Sequence, residues 1–119
     1  IISFVSINGV INQSNVDNCE SLMMNIKTAV KEYVSDNRYD NTFDSDNDKI
    51  EIINVNKLID YHYLSEEIIN PFDKSMNVDG DKIEIKIELK DDYSADALTI
   101  YKKSDNSIYS CNEDWWNFG

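Results

Sequence analysis

Residues 14–36 contain the stretch that decides the fold, SNVDNCESLMMNIKTAVKEYVSD. Apolar residues recur there at steps of three and four, which places them on one stripe of an α-helix. The stripe consists of Cys19, Leu22, Met23, Ile26, Ala29, Val30, Tyr33 and Val34. Ser14 and Asp17 have the spacing of a capping box at a helix N-terminus. We therefore predict a helix over 14–36 whose apolar stripe is covered by the elements that follow.

The length and the net charge of the chain limit the classes of protein to which it can belong. The chain has 119 residues, which fit a single domain with one core. Its 11 basic and 23 acidic residues give a net charge of −12. This charge argues against nucleic acid or an anionic membrane as a partner, because either would need a basic face. The sequence contains no apolar run long enough for a membrane span and no signal-peptide pattern.

Residues 1–13 are unusually apolar for the start of a chain. Four of their large side chains have the spacing of a helix face, Ile1, Phe4, Ile7 and Ile11. One interpretation is a buried terminal segment or strand. The other is the tail of a longer apolar helix, of which the helix at 14–36 is the continuation.

The loop after the helix is acidic. Counted from Asp40, a twelve-residue calcium loop places Thr42, Asp44, Asp48 and Glu51 at ligand positions, and Asp46 lies among them. Ser45 stands where such a loop has its central glycine. Two interpretations follow, a Ca²⁺ site formed by Asp40, Asp44, Asp46, Asp48 and Glu51, or a solvated loop. Apart from Ca²⁺, we expect no cofactor.

The second half of the chain carries strand signals. Residues 49–56 suit a short strand, and 57–64 a helical turn that contains the lone His62. His62 has no Ser or Cys nucleophile beside it, so we expect a surface or packing role rather than catalysis. Apolar and charged residues alternate over 83–89, which predicts a strand with one buried face. Further strands are predicted over 97–103 and 107–111.

The two cysteines permit one disulfide. A two-residue hairpin turn at Asp105-Asn106 would place Ile100 opposite Cys111 and turn both toward the core, where the helix stripe carries Cys19. We predict a Cys19–Cys111 disulfide, and the alternative is a pair of buried free thiols. Three aromatic residues close to the end of the chain are either docked on the core or exposed as an interface, Trp115, Trp116 and Phe118.

The predicted fold class is α+β, with a long N-terminal helix across one face of a three- to four-stranded antiparallel sheet. A single domain spans 1–119. It consists of an anchor-helix tail at 1–13, a head helix at 14–36, an irregular connection at 37–80, and a β-meander with a C-terminal tail at 81–119.

In this order of elements the chain resembles the head domain of a type IV pilin or pseudopilin of the Gram-positive, clostridial type. The resemblance is carried by AVKEYVSDN at the helix end, by KLIDYHYLSEEIINPFDKSM, and by the alternating strands after it. A late pair of cysteines is common in that family, whereas Cys19 lies in the helix here.

The resemblance implies a structural subunit, which we expect to be a minor pilin, in an extracellular pilus that serves adhesion, motility or pilus assembly. Such subunits are anchored in the cytoplasmic membrane and then polymerise through their N-terminal helices. The implied partners are other pilin subunits, with assembly contacts at Ile1, Phe4, Ile7, Ile11, Trp115 and Trp116. We expect a head without the anchor to be monomeric.

Two other classes stay open. A pseudopilin of a secretion apparatus would assemble in the same way. A small acidic inhibitor or adhesive binding module would be unrelated to pili. An enzyme is the least favoured class, because the sequence shows no nucleophile–base pair, glycine-rich phosphate loop or metal-ligand spacing.

Overall fold

The computed structural model describes residues 2–37 and 49–118, with helix side chains from Ser14 onward. A single long helix, α1 (Ile2–Asn37), opens the chain. Within the described ranges five strands follow, β1 (Ile50–Asn54), β2 (Ile68–Ile69), β3 (Asn77–Val78), β4 (Ile83–Leu89) and β5 (Ala95–Lys102). A short helix, α2 (Val55–Asp60), separates β1 from β2, and 3₁₀ turns occupy Gly80–Lys82 and Glu113–Trp116. The α+β prediction is confirmed.

The main sheet is antiparallel, with the strand order β1-β4-β5. Alternation along β4 buries its three isoleucines, and Ile85 lies opposite Ile100 while Ile87 lies opposite Leu98. Because paired residues share a face, this set forms one apolar surface. Strands β2 and β3 form a separate small sheet.

The core lies between α1 and that apolar face. The helix contributes six buried side chains, Cys19, Ile26, Ala29, Val30, Tyr33 and Val34. The sheet contributes Ile53, Ile83, Ile85, Ile87, Leu89 and Ile100, and Leu98 packs at the margin. Leu22 and Met23 are half-buried against the same cluster. The predicted stripe is therefore the buried face of the helix.

The helix begins further upstream than its capping signal predicts. Its backbone is helical from Ile2, so Ser14 lies inside the helix and not at its N-terminus. The spacing of Ser14 and Asp17 therefore does not mark a helix start, because the preceding turn already supplies partners for the N–H groups that a capping box would satisfy. Residues 2–13 therefore continue the helix rather than forming a strand.

The third strand of the sheet is β1, not the predicted strand over 107–111. Beyond β5 the ladder has a single bridge, between Tyr101 and Ile108. Lys102 and Ser107 close the loop, since the Lys102 N–H donates to the Ser107 carbonyl at 2.8 Å, and the four residues 103–106 between them replace the predicted two-residue turn. Within this loop the Asp105 carboxylate accepts from the Ser107 hydroxyl at 2.6 Å and from its N–H at 2.9 Å. These bonds stabilise a wider turn than the predicted one. As a result, the segment after the turn pairs with β5 in a register that differs by two residues from the prediction.

Gly80 begins the 3₁₀ turn that leads into β4, where Asp79 caps the turn. A Cβ at this position would overlap the Oδ1 atom of Asn56 and lie 2.9 Å from its backbone nitrogen. The Asn56 amide in turn donates to Asp81 at 2.9 Å. The close approach of the α2 backbone requires glycine here.

Candidate functional site

A disulfide joins α1 to the segment after β5. Cys19 is fully buried and Cys111 is half-buried, with their Cα atoms 5.6 Å apart. This separation lies within the ordinary range for disulfides. The predicted Cys19–Cys111 bridge is confirmed. Although the predicted hairpin register was wrong by two residues, an even shift leaves every side chain on its own face, so Cys111 still points toward the helix.

Tyr109 supports the disulfide from the core side. Its hydroxyl donates to the Cys19 carbonyl oxygen at 2.7 Å and lies 3.5 Å from the Cys19 sulfur. Burial raises the pKa of this phenol well above its ordinary value, so the hydroxyl stays a hydrogen-bond donor at physiological pH. The helix is thus tied to the C-terminal segment by a covalent bond and a buried hydrogen bond.

The rings of the C-terminal segment form an aromatic cluster, made of Tyr109, Trp115, Trp116 and Phe118. Ring centroids lie 5.0 Å apart for Trp115 and Trp116, and 5.4 Å apart for Tyr109 and Trp116, and both pairs meet edge-on. The Trp116 indole donates to the Ser110 carbonyl at 2.9 Å. Trp115 and Trp116 are only 7% and 2% exposed. Both rings belong to the core, so the pair does not form an exposed adhesive surface.

A second group of aromatic rings packs at the C-terminal end of α1. Tyr33 is fully buried, and its ring centroid lies 5.8 Å from that of Tyr63 and 6.3 Å from that of Tyr61. The Lys57 ammonium lies 5.5 Å from the Tyr33 centroid. Burial is the largest cause that raises the pKa of Tyr33. These contacts anchor α2 on the C-terminal end of α1.

Most of the remaining predicted site residues lie outside the described part of the structure. Asp40, Asp44, Asp46 and Asp48 fall in the undescribed stretch 38–48, so the calcium interpretation stays untested. Glu51 is half-buried on β1. Ile1 and the side chains of Phe4, Ile7 and Ile11 are likewise outside the described residues. Among the residues that are described, no group of three or more potential metal ligands comes together.

His62 lies just after α2, exposed and with a positive φ of 66°. The neighbouring Tyr63 hydroxyl donates to Asp36 at 2.7 Å, and this hydrogen bond is the largest cause that raises the pKa of Tyr63. On β5, burial and a 2.9 Å hydrogen bond to Glu84 raise the pKa of Tyr101 to about 12. These shifts keep phenols protonated, and none of them produces a base that would act near neutral pH.

A groove that the sequence analysis did not predict runs between α1 and residues 64–74. Its volume is about 370 Å³. The helix lines it with Asn18, Leu22 and Asn25, and Leu64, Ile68 and Pro71 contribute apolar surface from the other wall. The signal was present in the sequence, since these three helix residues follow an i, i+4, i+7 spacing beside the core stripe.

Within the described residues, no helix has the length and apolarity needed to cross a membrane. Comparison of the chain with protein-family models, with curated proteins and with solved structures finds no match.

Proposed function

We propose that this chain is the head and helix tail of a structural subunit, a minor pilin, of an extracellular type IV pilus. The observation that carries the proposal is the single 36-residue helix that opens the chain. At 1.5 Å per residue such a helix is about 54 Å long. The molecule measures 58 Å in one direction and 26 and 25 Å in the other two. One helix therefore accounts for nearly the whole long axis.

The two halves of α1 differ in their amino-acid composition. From Cys19 onward the apolar stripe is buried against the sheet. Residues 1–13 contain no charged side chain and seven large apolar ones, Ile1, Ile2, Phe4, Val5, Ile7, Val10 and Ile11. In a filament assembled through its helices, neighbouring subunits would bury these apolar positions. The proposed partners are therefore other pilin subunits, and the proposed role requires no catalysis.

The disulfide agrees with the proposed location. A bridge between Cys19 and Cys111 persists in an oxidising compartment, and a pilus subunit works outside the reducing cytosol. We propose that the subunit is anchored in the cytoplasmic membrane before assembly and is exposed at the cell surface afterwards.

The test is incorporation into filaments. Antibodies raised against the purified 119-residue chain should label filaments on cells that produce the protein, and the sheared filament fraction should contain it. Ile7→Asp should abolish incorporation, because it places a carboxylate on the apolar helix face. Asn8→Asp adds the same charge at a polar position and is the matched control. Both purified variants should melt like the wild type.

Two results would contradict the proposal, namely antibodies that label no filament, or Ile7→Asp subunits incorporated as well as wild-type subunits. A pseudopilin would give a different pattern. Deleting its gene would block secretion of other proteins, and surface filaments would be missing at normal expression levels. The gene sequence upstream of Ile1 offers an independent check, since a pilin requires a prepilin peptidase site followed by about twenty apolar residues.

A further inference from the structure

Three lysines meet at one end of the main sheet, where the C-terminal segment crosses it. Lys102 ends β5 and Lys103 follows it, while Lys82 lies just before β4. The ladder brings them together, since the Lys103 N–H donates to the Lys82 carbonyl at 2.9 Å and Lys102 lies opposite Ile83. This lysine cluster, Lys82, Lys102 and Lys103, stands out on a chain whose net charge is −12.

Lys102 is buried in a way that lysine rarely is. It is only 6% exposed, and its ammonium lies 4.7 Å from the Phe118 ring centroid and 5.0 Å from that of Trp115. Within the described residues, this ammonium donates one hydrogen bond, to the Asn117 carbonyl oxygen at 3.3 Å. Buried lysines are ordinarily paired with a carboxylate. No Asp or Glu of the described residues comes within 4.0 Å of a lysine ammonium in this cluster.

A cavity of about 650 Å³ opens beside the cluster. It is lined by Lys82, Lys103, Ser104, Asn117 and Phe118. The Lys82 ammonium donates to the Phe118 carbonyl oxygen at 3.3 Å. An ammonium group has three N–H donors, so Lys82 and Lys103 retain donors for a ligand in this cavity. Ser104, which also lines the cavity, carries a further hydroxyl donor.

We propose that the lysine cluster binds a small oxyanion, a phosphate or a carboxylate, in this cavity. Lys82, Lys103 and Ser104 would donate hydrogen bonds to the anion. Lys102, behind the wall formed by Asn117 and Phe118, would supply positive potential that is screened little because the group is buried. The ligand is small because an extended polyanion would meet the negative charge that the rest of the chain carries. The site is independent of filament assembly.

The experiment titrates the oxidised 119-residue protein with inorganic phosphate, and separately with glucuronate, at constant ionic strength set by chloride. Backbone amide shifts of residues 82, 103, 104, 117 and 118 and the Trp115 indole shift are followed by NMR. We expect saturable shifts confined to these residues at millimolar anion. Lys103→Gln should weaken the apparent affinity about tenfold, as a lost charge-assisted hydrogen bond does.

Lys90→Gln is the matched control, because it removes one exposed positive charge at the other end of β4 and should leave the affinity unchanged. Lys82→Gln gives a second variant in case Lys103→Gln perturbs folding. Saturation with phosphate alone assigns a phosphate ligand, and saturation with glucuronate alone assigns a carboxylate; either supports the site. Shifts that stay linear with both anions, or equal losses in Lys90→Gln and Lys103→Gln, would overturn it.

Discussion

Two regions that the disulfide joins follow different rules. In α1 from Cys19 to Asn37, one period of 3.6 residues decides which side chains are buried, and every core residue lies on the expected stripe. In residues 107–118 the chain leaves the sheet after one bridge and follows the packing of its own rings. The comparison teaches that a periodic element is determined by its own sequence, whereas an aromatic segment is determined by the surface it meets.

The largest expected effect comes from breaking the helix side of this comparison. Ile26 is fully buried, so Ile26→Asp places an unpaired carboxylate in the core and should unfold the domain. Met24 is 59% exposed on the same helix, and Met24→Asp should melt close to the wild type. Thermal unfolding followed by circular dichroism distinguishes the two. A cooperative, wild-type-like melt of Ile26→Asp would refute the assigned stripe.

The next effect tests the aromatic side. Trp116→Ala removes a ring that is 2% exposed and touches Tyr109, Trp115 and Phe118. We expect a loss of about 3 to 5 kcal/mol in the free energy of unfolding, measured by urea denaturation. Trp116→Phe keeps most of the apolar volume but loses the indole hydrogen bond to Ser110, so it should cost less. A loss below about 1 kcal/mol for Trp116→Ala would mean that the ring cluster contributes little to stability.

The disulfide tests how the two regions depend on each other. The double variant Cys19→Ser, Cys111→Ser should lose about 2 to 4 kcal/mol, within the upper value of about 5 kcal/mol that chain entropy gives for so long a loop. Wild-type protein under reductant should show the same stability as the double variant. Intact-mass measurement after alkylation checks the bond itself. Labelling of both thiols without reductant would show that the bridge is absent.

The smallest effect concerns the turn that begins the aromatic segment. Hydrogen bonds from the Ser107 hydroxyl and N–H lower the pKa of Asp105 below its ordinary value. A lowered folded-state pKa contributes stability that is present above the unfolded pKa of about 4 and is lost as the pH falls through the folded pKa. The melting temperature of Asp105→Asn should therefore approach that of the wild type as the pH falls from about 7 to about 2.

Asp96→Asn controls for the loss of one exposed carboxylate outside the turn. If the gap between wild type and Asp105→Asn stays constant across the acid range, the Asp105–Ser107 turn contributes no acid-sensitive stability.

The sequence predicted the elements better than their arrangement. The alternation over 83–89 predicts β4 and its buried face, because a strand repeats every two residues. A short strand was predicted where β1 lies, but its pairing with the other edge of β4 was not, because pairing between distant strands is decided by the tertiary core. The helix over 2–13 was one of two interpretations, since its apolar spacing also suits a buried strand.

The candidate sites divide in the same way. Cys19 and Cys111 could be paired from sequence because each lies on a face that its own pattern predicts. The lysine cluster could not be predicted from sequence, because Lys82 lies twenty residues before Lys102 and only the β4–β5 ladder brings them together. The burial of Lys102 depends further on where Trp115 and Phe118 pack, which no local pattern predicts.

The disulfide has a mechanical consequence. If the two ends of the chain are pulled apart, tension passes along the first turns of α1 to Cys19, through the sulfur–sulfur bond, and out at Cys111. The intervening sequence, a separation of 92 residues, carries none of that load. At full extension it would represent about 300 to 330 Å of chain. While the bond is intact, this length cannot be drawn out, so the domain behaves under tension as a short tether even if its core yields.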